Sequence, residues 1–421
     1  MSVQPTTSPR PVFFSRQTGA DRRPGPIEPA YGRPHAAHAV RAMRFTSLLR
    51  DLGFDPVEAL RPEIRPAVEA AADGVARRPR PVHLIFKPMD EIRLLRGAHN
   101  IGVVSWPYDA IAHEAVDKVP FSNQRRMLGL LDEIWVGGRH ARDALTRAGL
   151  PNVHVVPCPV PGRPPGAPRP DAGFLDGVPA LRLDIAPGRA STAPDAPIDA
   201  GAALRALDRA QAKVFAAVVD PLDPRDDVGR LVESFCAVLA RDPRHVLLVK
   251  CAVDPAGFSA EDLHAVLADR FVGEGALKSD NVLFTLEPLS DDQMAGLHGF
   301  ADFHLCVSRA EAQNLPLIEA MARGCVPVST AHSAMTDYLD PTCAVPIPSF
   351  PKRAGPAATD AKLPDVRWNQ ASLEDAVGAI ERAVGLDDAE RAALADRARV
   401  RAAAFSPEAV GARVLRRFAQ L

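Results

Sequence analysis

The sequence predicts an α/β protein made of two doubly wound lobes. Apolar strand-like runs alternate with helix-like runs in two blocks, roughly 80–160 and 212–345, which is the pattern of parallel sheets joined by right-handed crossovers. A proline-rich stretch separates the blocks, and 421 residues are enough for two or three domains. Hydrophobic residues make up 47% of the chain and aromatic residues only 5%, so Ala, Leu and Val must build the cores.

Bulk composition excludes several classes of protein. The 50 Lys and Arg residues nearly balance the 52 Asp and Glu residues, so no basic field suggests a nucleic-acid partner. No apolar run approaches the roughly 18 residues of a membrane span, and the first residues lack the order of a signal peptide. None of the six cysteines forms a CxxC pair, which favours reduced core thiols. These features predict a cytoplasmic protein.

Proline sets the predicted domain boundaries. The chain has 41 prolines, about twice the usual ~5%, and they cluster near the N-terminus and in the middle. Because proline lacks an N–H donor and blocks helices, residues 1–36 are predicted to be a poorly ordered arm and 161–211 a Pro/Ala-rich interdomain connection. This leaves an N-terminal α/β domain at 37–160, a C-terminal doubly wound domain at 212–400 and a final helix at 406–421.

The N-terminal domain contains four runs typical of buried strands: PVHLIFKP, NIGVVSWP, LLDEIWVGG and NVHVVPCP. Helical spacing occurs in AVRAMRFTSLLRDLGF and in RHARDALTRAG, which ends in a glycine. No first strand followed by a glycine-rich turn is evident.

The C-terminal domain alternates more regularly. Its predicted strands are KVFAAVVD, HVLLVKC, NVLFTLE, DFHLCVS, VPVST and CAVPI. Its predicted helices are VGRLVESFCAVLARD, SAEDLHAVLADR, SDDQMAGLHGF and PLIEAMARG. The tail adds a helix with a capping-box pattern starting at Ser372, and a final helix that opens with Ser406-Pro407.

The segment from Ser308 to Thr330 carries the strongest chemical signal. A strand ends there, a loop follows, and a helix starts near Pro316. Ligands of open parallel sheets bind beyond the carboxyl ends of the strands, and a helix N-terminus offers N–H groups to an anion such as a diphosphate. Glu311 and Glu319 flank this position as acceptors suited to the hydroxyls of a sugar and a ribose. Either carboxylate alone is also explained by a favourable interaction with the helix dipole.

The run EAQNLPLIEAMARGCVPV resembles the motif of retaining GT-B glycosyltransferases of family 4, in which a Glu, seven residues and a second Glu lead into EAMA-x-G-x-PV. The stretch LLDEIWVGGRHARDALTRAGLPNVHVVPCPV is similar to the later part of the family's N-terminal domain. The resemblance covers roughly 80–160 and 212–345. It implies a GT-B fold, with two Rossmann-like domains facing across a cleft and the last helix packing back on the first domain.

The resemblance also implies an activity and site residues. The activity is transfer of a hexose-type unit, with retention, from a nucleoside diphosphate sugar bound by the C-terminal domain to a glycan, lipid-linked or small acceptor, as in polysaccharide biosynthesis. No metal or other cofactor is implied. Glu311 would contact the donor sugar as a catalytic residue and Glu319 the ribose, while N–H groups around Asn314 and Leu315 would face the sugar and diphosphate.

One departure from the family concerns the cations that neutralise the diphosphate. The family places an Arg and a Lys after the first strand of the C-terminal domain, where this chain has VVDPLDPRDDVG. Pro221 and Asp226 stand where the two cations are expected. Arg225 and Lys250 are therefore the predicted donor-binding substitutes, and an exposed strand end is the alternative for Lys250. The loop between the two Glu residues, AQN, also lacks the family's glycines.

Another departure lies in the N-terminal domain, where relatives carry a His facing the donor sugar. The matching strand ends in Trp106, Pro107, Tyr108 and Asp109. Asp109 is the second predicted catalytic residue, an acceptor for substrate hydroxyls, although it could equally cap the next helix. Trp106 and Tyr108 are predicted to face the acceptor.

Two alternatives remain open: a catalytically silent GT-B module that binds a partner or glycan, and another GT-B-type enzyme such as an epimerase or phosphorylase. A lipid-linked acceptor would bring the protein to the inner face of the membrane as a peripheral protein. The donor base, the acceptor and the oligomeric state are not readable from the sequence.

Overall fold

The computed structural model of the chain describes residues 10–16, 34–60, 62–63, 80–115, 120–163, 168–185, 196–254, 256–271, 277–354, 363 and 366–421. They form two α/β lobes and a hairpin arm. Among these residues, no helix is both long enough and apolar enough to cross a bilayer.

The N-terminal lobe is built, in the described part of the chain, on a six-stranded parallel sheet of order β2-β1-β3-β4-β5-β6. Because all strands run in one direction, the loops that follow them gather at a single edge. The strands are β1 Val12–Arg16, β2 Pro56–Glu58, β3 Val82–Phe86, β4 His99–Val104, β5 Glu133–Val136 and β6 Val153–Val155. The helices are α1 Pro34–Asp51, α2 Gln124–Leu128 and α3 Arg139–Arg147.

The C-terminal lobe has, among the described residues, an eight-stranded sheet of order β14-β13-β12-β9-β10-β11-β7-β8. Its six strands from β14 to β11 are parallel, and β7 and β8 extend one edge in antiparallel fashion. The strands are β7 Pro179–Ile185, β8 Ile198–Asp199, β9 Val214–Val219, β10 Val246–Cys251, β11 Leu277–Thr285, β12 Phe303–Cys306, β13 Val326–Thr330 and β14 Val345–Ile347. The helices are α4 Ala200–Arg205, α5 Val228–Leu239, α6 Ala260–Arg270, α7 Asp291–Phe300, α8 Leu315–Ala322, α9 Leu373–Gly385 and α10 Asp388–Ala402.

Strand β1 shows that the predicted arm at 1–36 contains part of the N-terminal sheet. It pairs with β2 on one side and β3 on the other. The preceding Pro11 lies outside the ladder, where its missing N–H costs nothing. Buried His83 ties three strands together, with Nε2 3.1 Å from Ser15 Oγ and Nδ1 2.9 Å from Asn100 Oδ1. The rest of the arm before α1 lies outside the described residues.

The predicted connection at 161–211 also contains structure that belongs to a lobe. Strand β7 pairs antiparallel with β11, and α4 follows within the same lobe. The sequence PALRLDI alternates apolar Leu181 and Leu183 with polar Arg182 and Asp184, as a sheet strand does. The strand begins at Pro179 and contains no further proline, so the proline-rich composition of this stretch leaves room for a sheet strand. Residues 164–167 and 186–195 of the connection lie outside the described part.

The final helix, α11 Pro407–Phe418, packs on the N-terminal lobe although it follows the C-terminal one. Val410, Val414 and Phe418 are buried in the N-terminal core. The Phe418 ring lies 6.1 Å from the ring of Trp135, and Arg417 Nη2 lies 2.6 Å from Glu133 Oε1. The chain therefore crosses between its lobes twice, and α1 of the first lobe contacts α8 of the second through Arg44 and Glu319.

Candidate active site

The turn between β12 and α8 lies at the carboxyl edge of the C-terminal sheet, where open α/β sheets bind ligands. Asn314 has a φ of 59°, in the left-handed region, and its Oδ1 accepts a hydrogen bond from Leu317 N–H at 3.2 Å. Pro316 occupies the first turn of the helix, where no N–H is needed. In the described part of the chain, the N–H groups of Asn314 and Leu315 have no hydrogen-bond acceptor. The helix thus presents free donors at this edge.

A small cavity beside this turn is flanked by two carboxylates, Glu311 from the turn and Asp226 from the loop after β9. Burial raises the pKa of both carboxyls, and the charge of Asp223 raises it further, while Arg225 acts in the opposite direction. Such carboxylates repel a bare anion and suit a ligand that donates hydroxyl hydrogens. The other lining residues are Val218, Val219, Leu231, His304, Leu305, Cys306, Val307, Ser308 and Asn314.

Arg225 lies beside this cavity, but its charge is already compensated. Its Nε is 3.1 Å from both oxygens of Asp223, and its Nη2 is 2.5 Å from Asp223 Oδ2. A neighbouring arginine, Arg309, whose backbone N–H donates to the Arg225 carbonyl, forms an ion pair with Asp227 at 2.7 Å. Each of these two cations therefore has its own aspartate. Binding a diphosphate here would require Arg225 to share or leave Asp223.

Lys250 is not grouped with the other predicted donor-binding residues. Its side chain is buried and lines a separate apolar cavity with Leu248, Thr285 and Leu297. Its Nζ donates a hydrogen bond to the carbonyl of Cys251. Burial lowers the pKa of Lys250. This cation therefore lies within the lobe, away from the cavity that Glu311 lines.

Glu319, in the second turn of α8, joins the two lobes. Its Oε1 accepts a hydrogen bond from Arg44 of α1, and its Oε2 lies 3.6 Å from His298 Nε2. Burial acts to raise the pKa of Glu319, but interactions with His298 and Arg44 outweigh it and lower the pKa to about 2. Glu319 is therefore an anion held between two lobes.

Trp106 and Tyr108 lie beneath the hairpin arm formed by β15 Phe350–Arg353 and β16 Arg367–Gln370. Trp106 is only 9% exposed, and its Nε1 donates to the Ala110 carbonyl at 2.9 Å. The two rings meet edge to face at 5.4 Å. Trp106 is thus a core residue, whereas Tyr108 packs in a cluster whose other members are Ala310, Ala354 and Trp368.

Asp109 lies between the N-terminal lobe and the arm. Its Oδ1 accepts a hydrogen bond from the Arg367 N–H at 3.4 Å, and its carbonyl accepts from Arg147 Nη2 at 3.3 Å. Among the described residues, the Asp109 carboxylate accepts this one long hydrogen bond and so keeps further acceptor capacity. It does not line the cavity that Glu311 and Asp226 flank.

The turn that carries Glu311 is pinned against the N-terminal lobe by Gln313. The Gln313 side chain is buried, and its amide pairs with the backbone of Cys158, accepting from the N–H at 2.9 Å and donating to the carbonyl at 3.0 Å. Tyr338 Oη donates to the Gln313 carbonyl at 2.8 Å. Gln313 lies in the AQN run, so this run joins the C-terminal lobe to the N-terminal lobe through hydrogen bonds.

Gly137, at the end of β5, permits this close approach. A Cβ at this position would lie 2.9 Å from the Ala312 carbonyl oxygen and 2.9 Å from Gln313 Oε1. We expect Gly137→Ala to displace the turn and to lower stability by about 1–3 kcal/mol. Urea denaturation measures the effect, with Gly162→Ala as the matched control because a Cβ at Gly162 has no neighbour within 4 Å. Equal stability of the two variants would contradict the close packing of Gly137 against Ala312 and Gln313.

Sequence reasoning missed Arg41 and Arg44 of α1, the helix that meets α8 through the Arg44–Glu319 contact. Arg44 reaches Glu319 and the Pro159 carbonyl, and Arg41 is 2% exposed. Their spacing of three residues in RAMR puts both on one face of α1. That spacing was the available signal, but nothing in the sequence shows which lobe the face meets.

The described residues contain no group of three or more His, Cys, Asp or Glu side chains arranged to hold a metal ion. No protein-family model matches the chain, and no curated protein sequence is similar to it.

Two Rossmann-like lobes with a candidate site where they meet define the GT-B class, and comparison with solved structures confirms the predicted fold. The chain is similar to sucrose-phosphate synthase from Thermosynechococcus elongatus, with a TM-score of 0.56, 14% identity and coverage of 98% of this chain and 99% of that chain. It is also similar to the N-terminal domain of Candida albicans trehalose-6-phosphate phosphatase, with a TM-score of 0.54, 13% identity and coverage of 100% and 98%.

A third similarity is to a mutant of S. aureus TarM solved with UDP, with a TM-score of 0.49 and 13% identity. It covers 80% of this chain and 55% of that chain, so this chain spans about half the length of TarM.

Proposed function

We propose that the chain is a glycosyltransferase that moves a sugar from a nucleoside diphosphate sugar to an acceptor hydroxyl with retention of configuration. One arrangement carries this proposal. The Glu311 carboxylate and the free N–H groups at the start of α8 occupy the same edge of the C-terminal sheet, and Gln313 between them bonds to the other lobe. A sugar diphosphate needs both features, because its hydroxyls donate hydrogen bonds and its phosphates accept them.

The proposed roles follow from these positions. Glu311 accepts hydrogens from the donor sugar hydroxyls, and the N–H groups of Asn314 and Leu315 bind the diphosphate. Glu319 Oε2 is the oxygen available to a ribose hydroxyl, since Oε1 is engaged by Arg44. In the retaining reaction, the bond from the anomeric carbon to the phosphate oxygen breaks as the acceptor oxygen bonds on the same face. The acceptor proton passes to the leaving phosphate, so no protein base is needed.

The acceptor side of the proposal rests on Tyr108 and Asp109, with Trp106 supporting the Tyr108 ring. A glycan, lipid-linked or small-molecule acceptor fits this chemistry. If the acceptor is lipid-linked, a cytoplasmic protein must reach the inner membrane face, and co-sedimentation with vesicles of anionic lipid tests that contact.

Binding of nucleoside diphosphates is the decisive first experiment. We expect one of UDP, GDP and ADP to raise the thermal unfolding midpoint of the full chain by several degrees, since a ligand at 100 times its Kd adds about 2.7 kcal/mol of stability. The corresponding sugar nucleotides are then tested for hydrolysis and transfer. Absence of any shift across the panel would contradict the proposal.

One observation favours a second candidate, a catalytically silent module that binds a partner or glycan. Arg225 is neutralised by Asp223 and Lys250 lies elsewhere, so neither supplies free positive charge to a diphosphate. The silent module predicts no affinity for any nucleoside diphosphate. An epimerase or phosphorylase would instead convert a sugar nucleotide without an acceptor or require inorganic phosphate.

A further inference from the structure

The candidate site has a charge deficit. A diphosphate carries at least two negative charges, and the phosphate-binding residues of such sites are usually cations. The cavity is flanked by Glu311 and Asp226, while Arg225 is paired with an aspartate of its own. Neither Arg225 nor Arg309, each of which is paired with an aspartate, offers free positive charge to a diphosphate at this cavity.

Arg41 of α1 is a buried cation that forms no ion pair with any carboxylate in the described part of the chain. It is 2% exposed, and among the described residues no acceptor binds its Nε. Burying a guanidinium in this way is costly unless an anion compensates it. An anionic ligand would remove that cost.

The position of Arg41 connects it to the proposed donor site. Arg44, one turn further along the same face of α1, contacts Pro159 and Glu319. Burial lowers the pKa of Arg41, while Cys158 and Glu311 act to raise it, so these two groups lie within electrostatic reach of its guanidinium. The Cys158 backbone is bonded to Gln313, next to Asn314. Arg41 is thus a buried cation on the face of α1 that meets α8, within electrostatic reach of the residue that opens the turn.

We infer that Arg41 binds the diphosphate of the donor, so that the N-terminal lobe supplies the positive charge that the C-terminal lobe lacks. The inference rests on the proposed function. A guanidinium offers two parallel N–H donors to a phosphate, and the free N–H groups at the start of α8 add to them. Donor binding would then join the two lobes through one ligand.

Calorimetric titration tests the inference with UDP, GDP and ADP and with the nucleoside of the diphosphate that binds best. We expect Arg41→Met to weaken diphosphate binding about 10- to 100-fold, the range for a lost hydrogen bond to a charged group, and to leave nucleoside affinity unchanged. The unliganded variant should unfold at the same or a higher temperature, since an apolar chain replaces an uncompensated charge. Arg50→Met, exposed at the end of the same helix, is the control expected to bind like the unmodified protein.

The outcomes separate this inference from the proposed function. If the unmodified protein binds no nucleoside diphosphate, both fail. If it binds and Arg41→Met binds equally well, the inference fails and the proposed function stands. A variant that loses nucleoside affinity to the same degree, or that unfolds at a lower temperature, gives Arg41 a structural role and also overturns the inference. Selective loss of diphosphate binding, with partial recovery in Arg41→Lys, supports it.

Discussion

Replacing Glu311 by glutamine is expected to lower the rate of sugar transfer by about 100- to 1,000-fold, the usual loss when one preorganised polar contact to the reacting group is removed. The glutamine has the same shape but loses the negative charge that would accept the donor's hydroxyl hydrogens. The turn itself should persist, because other contacts fix it. The Glu311 N–H donates to Ser333 Oγ at 2.9 Å, and Gln313 Oε1 accepts a hydrogen bond from the Cys158 N–H. Initial rates with the active sugar nucleotide give kcat and KM.

The dependence of the transfer rate on pH tests the role of Glu311 separately, because a purely structural Glu311 would not change it. Burial raises the pKa of Glu311, so the active carboxylate form is present above that raised pKa and is lost as the pH falls through it. The unmodified protein should therefore lose activity on acidification at a higher pH than an ordinary glutamate would cause. The residual activity of the Glu311→Gln variant should not show this loss on acidification.

Glu287→Gln is the matched control, because Glu287 is exposed and does not line the cavity. It should transfer sugar at the unmodified rate. A Glu311→Gln protein with a normal thermal midpoint and a normal rate would remove Glu311 from the proposed mechanism.

The sequence predicted the segments whose signals are local. The strand, turn and helix from Phe303 to Ala322 could be read because apolar runs, Pro316 and the two glutamates lie within twenty or so residues of one another. Strand β1 and strand β7 were missed because flanking prolines dominated the composition around two short strands.

The ion pairs of the site residues could not be predicted from the sequence. The sequence DPRDD places three aspartates near Arg225 but does not show that Arg225 forms its ion pair with Asp223. Lys250 stands at a strand end, where exposure was as reasonable as burial, and only the packing of the lobe decides which face it enters. Arg44 and Glu319 are 275 residues apart, so no spacing rule relates them. Charge compensation at this site is a tertiary property.

The Arg44–Glu319 pair leads to the largest expected effect on stability. Their side chains are 18% and 11% exposed, and each belongs to a different lobe. Glu319→Gln should lower the free energy of unfolding by about 3–5 kcal/mol, the range found when one partner of a buried pair is removed, because Arg44 would be left largely buried without its anion. Urea denaturation at pH 7, followed by circular dichroism, measures the loss.

The same pair predicts how stability depends on pH. The pKa of Glu319 is lowered from its ordinary 4.5 to about 2, so the unfolded chain takes up a proton more readily than the folded one. The stabilisation is therefore complete above about pH 4.5 and is lost as the pH falls toward 2. A shift of this size corresponds to about 3 kcal/mol. The unmodified protein should lose that amount between pH 6 and pH 2 in excess of the Glu319→Gln variant.

A double-mutant cycle separates the pair from the effect of either side chain alone. Arg44→Met leaves Glu319 beside His298, and Arg44→Met combined with Glu319→Gln removes both charges of the pair. If the pair holds the lobes together, the double variant should lose less free energy of unfolding than the two single variants lose in sum. The reason is that the second change no longer leaves a buried charge without its partner. Strict additivity, or an unchanged pH profile in Glu319→Gln, would show that the two lobes do not depend on this contact.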